Sequence, residues 1–221
     1  MDAQADAQSS AQAQGPTSRP PLVPGSARRT VQEVPGDLFD APEGSALIHA
    51  CNTEGSWGAG IARTFKHRYP AAYRFYRDHC RHYAQSREMH DTEDMYAHDT
   101  DTATIRMPLG TALIIPPQAA DARPRRKKHW IVCLFTSKGY GQHVDRSEQI
   151  INSTLAALED LKEKLADLRL DGTEPSPTAL YSCRFNSGLF AVPWSQTRAA
   201  IELVGLEMTV MTLPGGNDDQ E

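Results

Sequence analysis

The sequence predicts one α/β domain whose central sheet is covered by helices on both faces. Three observations carry this reading. Short apolar runs bounded by Gly, Pro and polar clusters recur along the chain and read as buried strands. Between them stand segments with apolar residues every three to four positions, the mark of helices with one buried face. Strands and helices alternate from Thr30 to Leu213, the order of a layered α/β domain with its sheet buried on both sides.

The elements follow in order. Thr30–Val34 is a first strand, stopped by Pro35-Gly36. Ala46–Ala50 (ALIHA) is a short buried strand. The run Gly55-Ser56-Trp57-Gly58-Ala59-Gly60 leads into a helix that places Ile61, Phe65 and Tyr69 on one face. Pro70 opens a further helix at its first position, with Tyr73, Tyr76 and Cys80 aligned. Ser86–Pro108 is polar, acidic and His-rich, and reads as an inserted loop. Thr111–Ile115 and Trp130–Phe135 are strands joined by a loop that carries the basic run Arg123–Lys128, read as solvated. A long helix follows from Ser147 to Leu168, with Asp145 and Glu148 resembling its capping box. A strand at Thr178–Cys183, a loop at Arg184–Pro193, a short helix at Ser195–Leu203 and a strand at Glu207–Leu213 complete the domain. Residues 1–28, rich in Ala, Gln, Ser, Pro and Gly, read as a disordered tail; 29–214 form the domain, and 215–221 an acidic tail.

Composition excludes several classes. Of 221 residues, 23 are basic and 28 acidic, a net charge of -5, which argues against nucleic-acid or anionic-membrane binding driven by overall charge. No apolar run is long enough to span a bilayer, and the N-terminus lacks the basic and apolar regions of a secretory signal. Cys51, Cys80, Cys133 and Cys183 show no CxxC spacing. A reducing, intracellular location, cytoplasmic or nuclear, follows as the expectation, with a monomer acting on a small molecule.

In an open α/β sheet, ligands bind beyond the carboxyl ends of the strands. Four segments meet that description: Gly36-Asp37-Leu38-Phe39, Cys51-Asn52 with the glycine loop, Thr136–Gly141, and Arg184–Trp194. Their glycines permit close backbone approach and N–H nests that hold anions, and the helix starting near Gly60 adds its positive end. A phosphate or pyrophosphate ligand is one reading; plain turn glycines are the other. The dinucleotide fingerprint fails, because Arg63 stands at the third glycine position, and no Gly-Lys-Ser/Thr follows.

Taken together, GDLF at Gly36–Phe39, LIHACN at Leu47–Asn52 and GSWGAGIA at Gly55–Ala62 resemble a macrodomain, the ADP-ribose-binding α/β/α fold. LFTS at Leu134–Ser137 and NSGLFAVPW at Asn186–Trp194 narrow the resemblance to the fungal ADP-ribose 1″-phosphate phosphatase branch. It runs from Thr30 to Leu213, apart from the 86–108 insertion. The resemblance implies a three-layer domain with a central mixed sheet of about six strands. It implies Asp37 on the adenine amino group, with Gly36 and the Leu38 backbone beside the ring. Ala50, Cys51 and Asn52 would line the distal ribose, the Asn52 amide holding a hydroxyl and the attacking group. Trp57, Gly58, Ala59, Gly60, Ile61 and Ala62 would wrap the diphosphate. Cys183, Arg184, Phe185, Asn186, Ser187, Gly188 and Leu189 would close over the phosphates and distal ribose.

The implied activity is hydrolysis of ADP-ribose 1″-phosphate to ADP-ribose and phosphate, a metabolite of tRNA splicing. An ADP-ribose reader without chemistry and an ADP-ribosyl-protein hydrolase are the alternatives. The hydrolase branch depends on a lysine and an aspartate whose positions hold Ser137 and Phe190 here, with Lys138 one residue on. His49 reads equally as a general acid beside the distal phosphate and as a hydrogen-bonded strand-end histidine. Asp145 reads as a cap, His143 as an exposed loop residue, and Trp194 and Phe190 as packing residues. Cys51 reads as a small pocket filler rather than a nucleophile. His90, Asp91, Asp94, His98 and Asp99 have no metal-ligand spacing, and neither cofactor nor metal is expected.

Overall fold

A computed structural model describes residues 30–93, 108–124, 126–172 and 175–213. The strands are β1 (Val31–Pro35), β2 (Ala46–Asn52), β3 (Ala112–Ile115), β4 (Trp130–Ser137), β5 (Leu180–Ser182) and β6 (Met208–Thr212). The helices are α1 (Gly60–Arg68), α2 (Pro70–Glu93), α3 (Ser147–Asp171) and α4 (Trp194–Val204). The six strands form one mixed sheet in the order β1-β6-β5-β2-β4-β3. All pairings are parallel except that of β3 with β4.

Alternation along the central strands sorts the core into two layers. Ala46 and Ile48 of β2, with Trp130, Val132 and Leu134 of β4, pack on Leu158, Leu161 and Leu165 of α3 and Ala200 and Ile201 of α4. Leu47 and Cys51 of β2, with Ile131, Cys133 and Phe135 of β4, pack on Phe65 of α1 and Tyr76 and Cys80 of α2. Helices therefore cover both faces, as the element order predicts. The chain after β2 crosses to one face and the chain after β5 to the other, although these strands are neighbours. That divergence opens a crevice at their carboxyl ends.

Three sequence expectations change. Ser86–Glu93 is not loop but the last two turns of α2; Gln85, Arg87, Glu88 and Met89 are good helix formers, so polarity alone does not end the helix. Residues 94–107 of the insertion, both predicted tails and Arg125 lie outside the described residues. Helix α3 is capped one residue later than expected, the Gln149 side chain accepting from the Arg146 backbone N–H at 3.1 Å. The basic loop is tied down rather than merely solvated. Arg126 donates to the Arg68 carbonyl at 2.8 Å and Lys127 to that of Asp40, placing cations on the carbonyl ends of α1 and of the 3-10 turn Leu38–Asp40.

Candidate active site

The carboxyl ends of β1, β2, β4 and β5 bring the four predicted ligand segments to one edge of the sheet. After β1, Asp37 caps the 3-10 turn, its Oδ1 accepting from the Phe39 N–H at 3.0 Å. Its Oδ2 lies 3.7 Å from Arg68 and the carboxylate is half-exposed, open to a donor such as an adenine amino group. Leu38 is buried below it. A Cβ on Gly36 would come within 2.6 Å of Met211.

Asn52 ends β2 at a register irregularity: Cys51 faces Phe135, but Asn52 faces Ser137. Strict alternation would send its side chain with Ala50 toward α3 and α4. The irregularity turns it toward α2 and the glycine loop instead. Its Oδ1 accepts from the backbone of Glu54 (3.1 Å) and Ser56 (3.2 Å) and from the Tyr76 hydroxyl (3.1 Å). Its Nδ2 donates to the Ser56 carbonyl at 2.7 Å. The amide thus shapes the loop that carries Trp57–Gly60 and retains one N–H for a ligand.

That loop delivers its backbone, not all its side chains, to the crevice. Gly58, Ala59 and Gly60 are exposed, whereas Trp57 is buried. Ala59 precedes α1 without a side-chain cap, so the first-turn N–H groups of Gly60, Ile61 and Ala62 point outward as an anion site. Gly60 adopts φ +53°, and a Cβ there would sit 3.5 Å from Leu189 of the opposite loop. These two loops therefore meet across the crevice.

The loop after β5 is held from beneath. Asn186, with φ +67°, is buried and its side chain bonds Thr136 (3.0 Å), Thr154 (3.0 Å) and Thr197 (3.4 Å). Its side chain organises the loop from beneath. Phe185 is buried against Trp194. The Arg184 guanidinium turns to Glu33, at 2.8 Å, rather than into the crevice. Gly188 and Leu189 are exposed at the crevice, with Ser187 and Cys183 partly buried beside them. After β4, Ser137 donates to the Gly139 carbonyl, and the Asp145 carboxylate accepts from the Lys138 N–H at 2.7 Å. Asp145 thus braces this turn instead of capping α3.

His49 is fully buried and belongs to an aromatic layer under the crevice. It stacks on Phe65 at 4.1 Å and meets Trp57 edge-on at 4.8 Å, while Trp57 stacks on Tyr76 at 5.0 Å. His49 has no exposed surface here, so its ring forms part of the packing beneath the crevice rather than of the crevice wall.

Sequence spacing also missed a cluster. His49, Cys51 and Cys133 bring their donor atoms within 4.8 Å of one another, all buried. The sheet register explains it: Cys133 stands opposite His49, and Cys51 lies two residues on along the same face. Burial pushes the Cys51 thiol up, but the Cys133 hydrogen bond and the His49 imidazole outweigh it and bring it down to about 6. The Cys51 sulfur lies 3.6 Å from Nδ1 and 3.5 Å from Nε2. Such near-equal distances put it over the ring face, whereas a metal ion would need the in-plane lone pair. The donor set does not fit a metal centre.

No family model matches the chain. It is 48% identical over 200 residues, 88% of this chain and 100% of the relative, to the ADP-ribose 1″-phosphate phosphatase of Aspergillus fumigatus. It is 46% identical, over 86% of this chain and 98% of the relative, to the protein of the same name from Neosartorya fischeri. Among solved structures, the macrodomain of Thermus aquaticus DarG superposes with a TM-score of 0.54 at 22% identity, covering 82% of this chain and 97% of that one. The DarTG of Thermosipho africanus, in complex with ADP-ribose, gives 0.54 at 16% identity, covering 84% of this chain and 42% of that one. With the sheet order and the crevice already described, these likenesses place the chain in the fungal ADP-ribose 1″-phosphate phosphatase family, on a macrodomain fold.

Proposed function

We propose that this protein hydrolyses the 1″-phosphate monoester of ADP-ribose to ADP-ribose and inorganic phosphate. The observation that carries the reading is 48% identity, along 88% of the chain, to a relative of that name. The crevice agrees chemically. An anionic ligand is held by the outward N–H groups of α1 and by the backbone of loop 183–193, so a chain of net charge -5 needs no cluster of lysines. The adenine lies at Asp37, the diphosphate between Gly58–Ala62 and Ser187–Leu189, and the distal ribose at Ala50 and Asn52.

Water attacks phosphorus, the bond to the 1″ oxygen breaks, and the proton released by the attacking water ends on that oxygen, giving the 1″ hydroxyl and inorganic phosphate. Backbone N–H groups fixed in advance stabilise the charge on the phosphoryl oxygens. Asn52 serves this step twice, through its remaining N–H and through the loop it shapes. Four free cysteines support the expected reducing, intracellular location. Among the described residues, no helix is long and apolar enough to cross a membrane.

The test is phosphate release from ADP-ribose 1″-phosphate with EDTA present and p-nitrophenyl phosphate as control. Release from the first substrate alone supports a specific phosphatase that needs no added metal. No release, with ADP-ribose binding intact by calorimetry, overturns the reading in favour of a reader. Liberation of ADP-ribose from modified carboxylates, without phosphate release, overturns it in favour of a protein hydrolase.

A further inference from the structure

One carboxylate outside the crevice holds both ends of the loop that closes over it. Glu33 lies on the edge strand β1, with its side chain 21% exposed. Its Oε2 accepts from Nε and Nη2 of Arg184, at 2.9 and 2.8 Å. Its Oε1 accepts from the Trp194 indole at 3.0 Å and from Nη1 of Arg198 at 3.0 Å. Arg184 is the second residue after β5 and Trp194 the first of α4. A single side chain therefore fixes where loop 185–193 leaves the sheet and where it rejoins a helix.

The loop needs such fixing. Asn186 and Ala191 both adopt left-handed backbone, φ +67° and +52°, without being glycine. Such conformations persist only where the surroundings over-determine them. Asn186 is held from beneath by three threonines, whereas the far half is held by backbone bonds, the Ala191 N–H donating to the Gly188 carbonyl at 3.0 Å and the Val192 N–H to the Asn186 carbonyl at 3.0 Å. Between them Gly188 and Leu189 are exposed and reach toward Gly60. Burial alone pushes the Glu33 carboxyl up, but the Trp194 and Arg184 bonds overcome it and hold it below the usual carboxylate range.

We propose that Glu33 is a positioning residue for the reaction: through Arg184 and Trp194 it sets the reach of Ser187–Leu189 toward the ligand phosphates. The proposal deepens the phosphatase reading and rests on it. Because the loop holds phosphates in the bound state as well as during reaction, its misplacement raises KM more than it lowers kcat.

The experiment compares Glu33→Gln, Arg184→Met, their double variant and Arg198→Met in steady-state hydrolysis of ADP-ribose 1″-phosphate, each with its thermal melt. Arg198 also touches Glu33 but is tethered to Glu202 at 2.9 Å, and serves as the control for a merely structural contact. Expected are a KM about tenfold higher for Glu33→Gln with kcat within about threefold, a similar change for Arg184→Met, and no further change in the double variant. Arg198→Met lowers the melting temperature and leaves KM within about twofold.

A Glu33→Gln KM within twofold of the native value overturns the proposal. So do multiplicative effects in the double variant, or an equal rise in KM for Arg198→Met. If the native protein releases no phosphate, the phosphatase reading itself fails. The same variants then report on the loop through calorimetric ADP-ribose affinity, where an unchanged Glu33→Gln affinity overturns the clamp independently.

Discussion

Replacing Asn52 by Ala separates shaping the site from binding the ligand. The substitution removes four side-chain hydrogen bonds, two from backbone N–H groups, one from Tyr76 and one to the Ser56 carbonyl. The Tyr76 hydroxyl keeps its 2.7 Å bond to the Asn52 carbonyl, and Glu54 is exposed enough for water to replace the lost partner. Each bond then contributes about 0.5–1.5 kcal/mol net, so the loss is about 3 kcal/mol. For a domain of this size that lowers the melting temperature by roughly 10 °C. Turnover suffers more than affinity, because the ligand is still held by α1 and by loop 183–193. A displaced loop misorients the phosphoryl group, for which about a hundredfold in kcat is a reasonable scale. Calorimetry with ADP-ribose and phosphate release from the 1″-phosphate provide the two readouts. Asn52→Asp keeps the Oδ1 acceptor but sets a second carboxylate oxygen against the Ser56 carbonyl in place of the Nδ2 donor, so it recovers only part of the stability, and with a carboxylate beside a phosphate it does not recover turnover. Equal loss of binding and turnover in Asn52→Ala, or full turnover in Asn52→Asp, would refute the reasoning.

Other perturbations test the remaining assignments. His49→Phe keeps an aromatic ring on Phe65 and is expected to retain turnover within about threefold at a cost of about 1–3 kcal/mol in denaturant melts; a hundredfold loss would return His49 to the chemistry. Gly139→Ala puts a Cβ 2.6 Å from the His143 carbonyl, so the turn after β4 must shift, with about 1–3 kcal/mol lost and reduced turnover in the same assays. Glu33 has a carboxyl lowered by folding, so its stabilisation is present above the unfolded value near 4.5 and is lost as pH falls through the lower native value. The acid limb of the stability profile should therefore flatten in Glu33→Gln, and an unchanged limb would remove this linkage. Native iodoacetamide treatment at pH 8 should leave Cys51, Cys80 and Cys133 unmodified, since all three are buried. Cys183, pushed up to about 12 by burial of its thiol, should label only slowly, whereas all four react in guanidinium, as read by mass spectrometry.

The sheet and helices were legible because their signals are local. LIHA and WIVCLF are apolar on both faces, as strands under helices on both sides must be, and Phe65, Tyr76, Leu158 and Leu161 recur at helical spacing. The crevice was legible too, since glycines cluster after strands. Side-chain direction was not legible. Nothing local to Asn52 announces a register irregularity, because it arises where β2 meets β4, a segment some eighty residues away. His49 follows its strand faithfully, but which face looks onto α1 depends on the crossover after β2. Glu33, in the strand VQEVP, looks like an ordinary edge residue; its partners lie 151, 161 and 165 positions on. The polar composition of 86–93 hid a helix, because helix propensity and hydrophobic burial are separate quantities.

The division of labour explains why the side chains quoted in the motifs are so seldom at the surface of the crevice. Trp57, Phe185 and Asn186 are buried, and Arg184 turns away to Glu33. What stays exposed at the crevice is the backbone between them, at Gly58–Gly60 and at Gly188. A diphosphate offers acceptors on every side, and N–H groups fixed by packing meet it without the entropy cost of ordering long cationic side chains. The aromatic layer of Phe65, His49, Trp57 and Tyr76 is the rigid floor under one loop. Thr136, Thr154 and Thr197 below and Glu33 outside support the other. A substitution beneath either loop should therefore disturb binding or turnover in proportion to the displacement of the backbone rather than to any change in charge, little where a ring replaces a ring, as in His49→Phe, and more where a loop anchor is lost, as in Glu33→Gln.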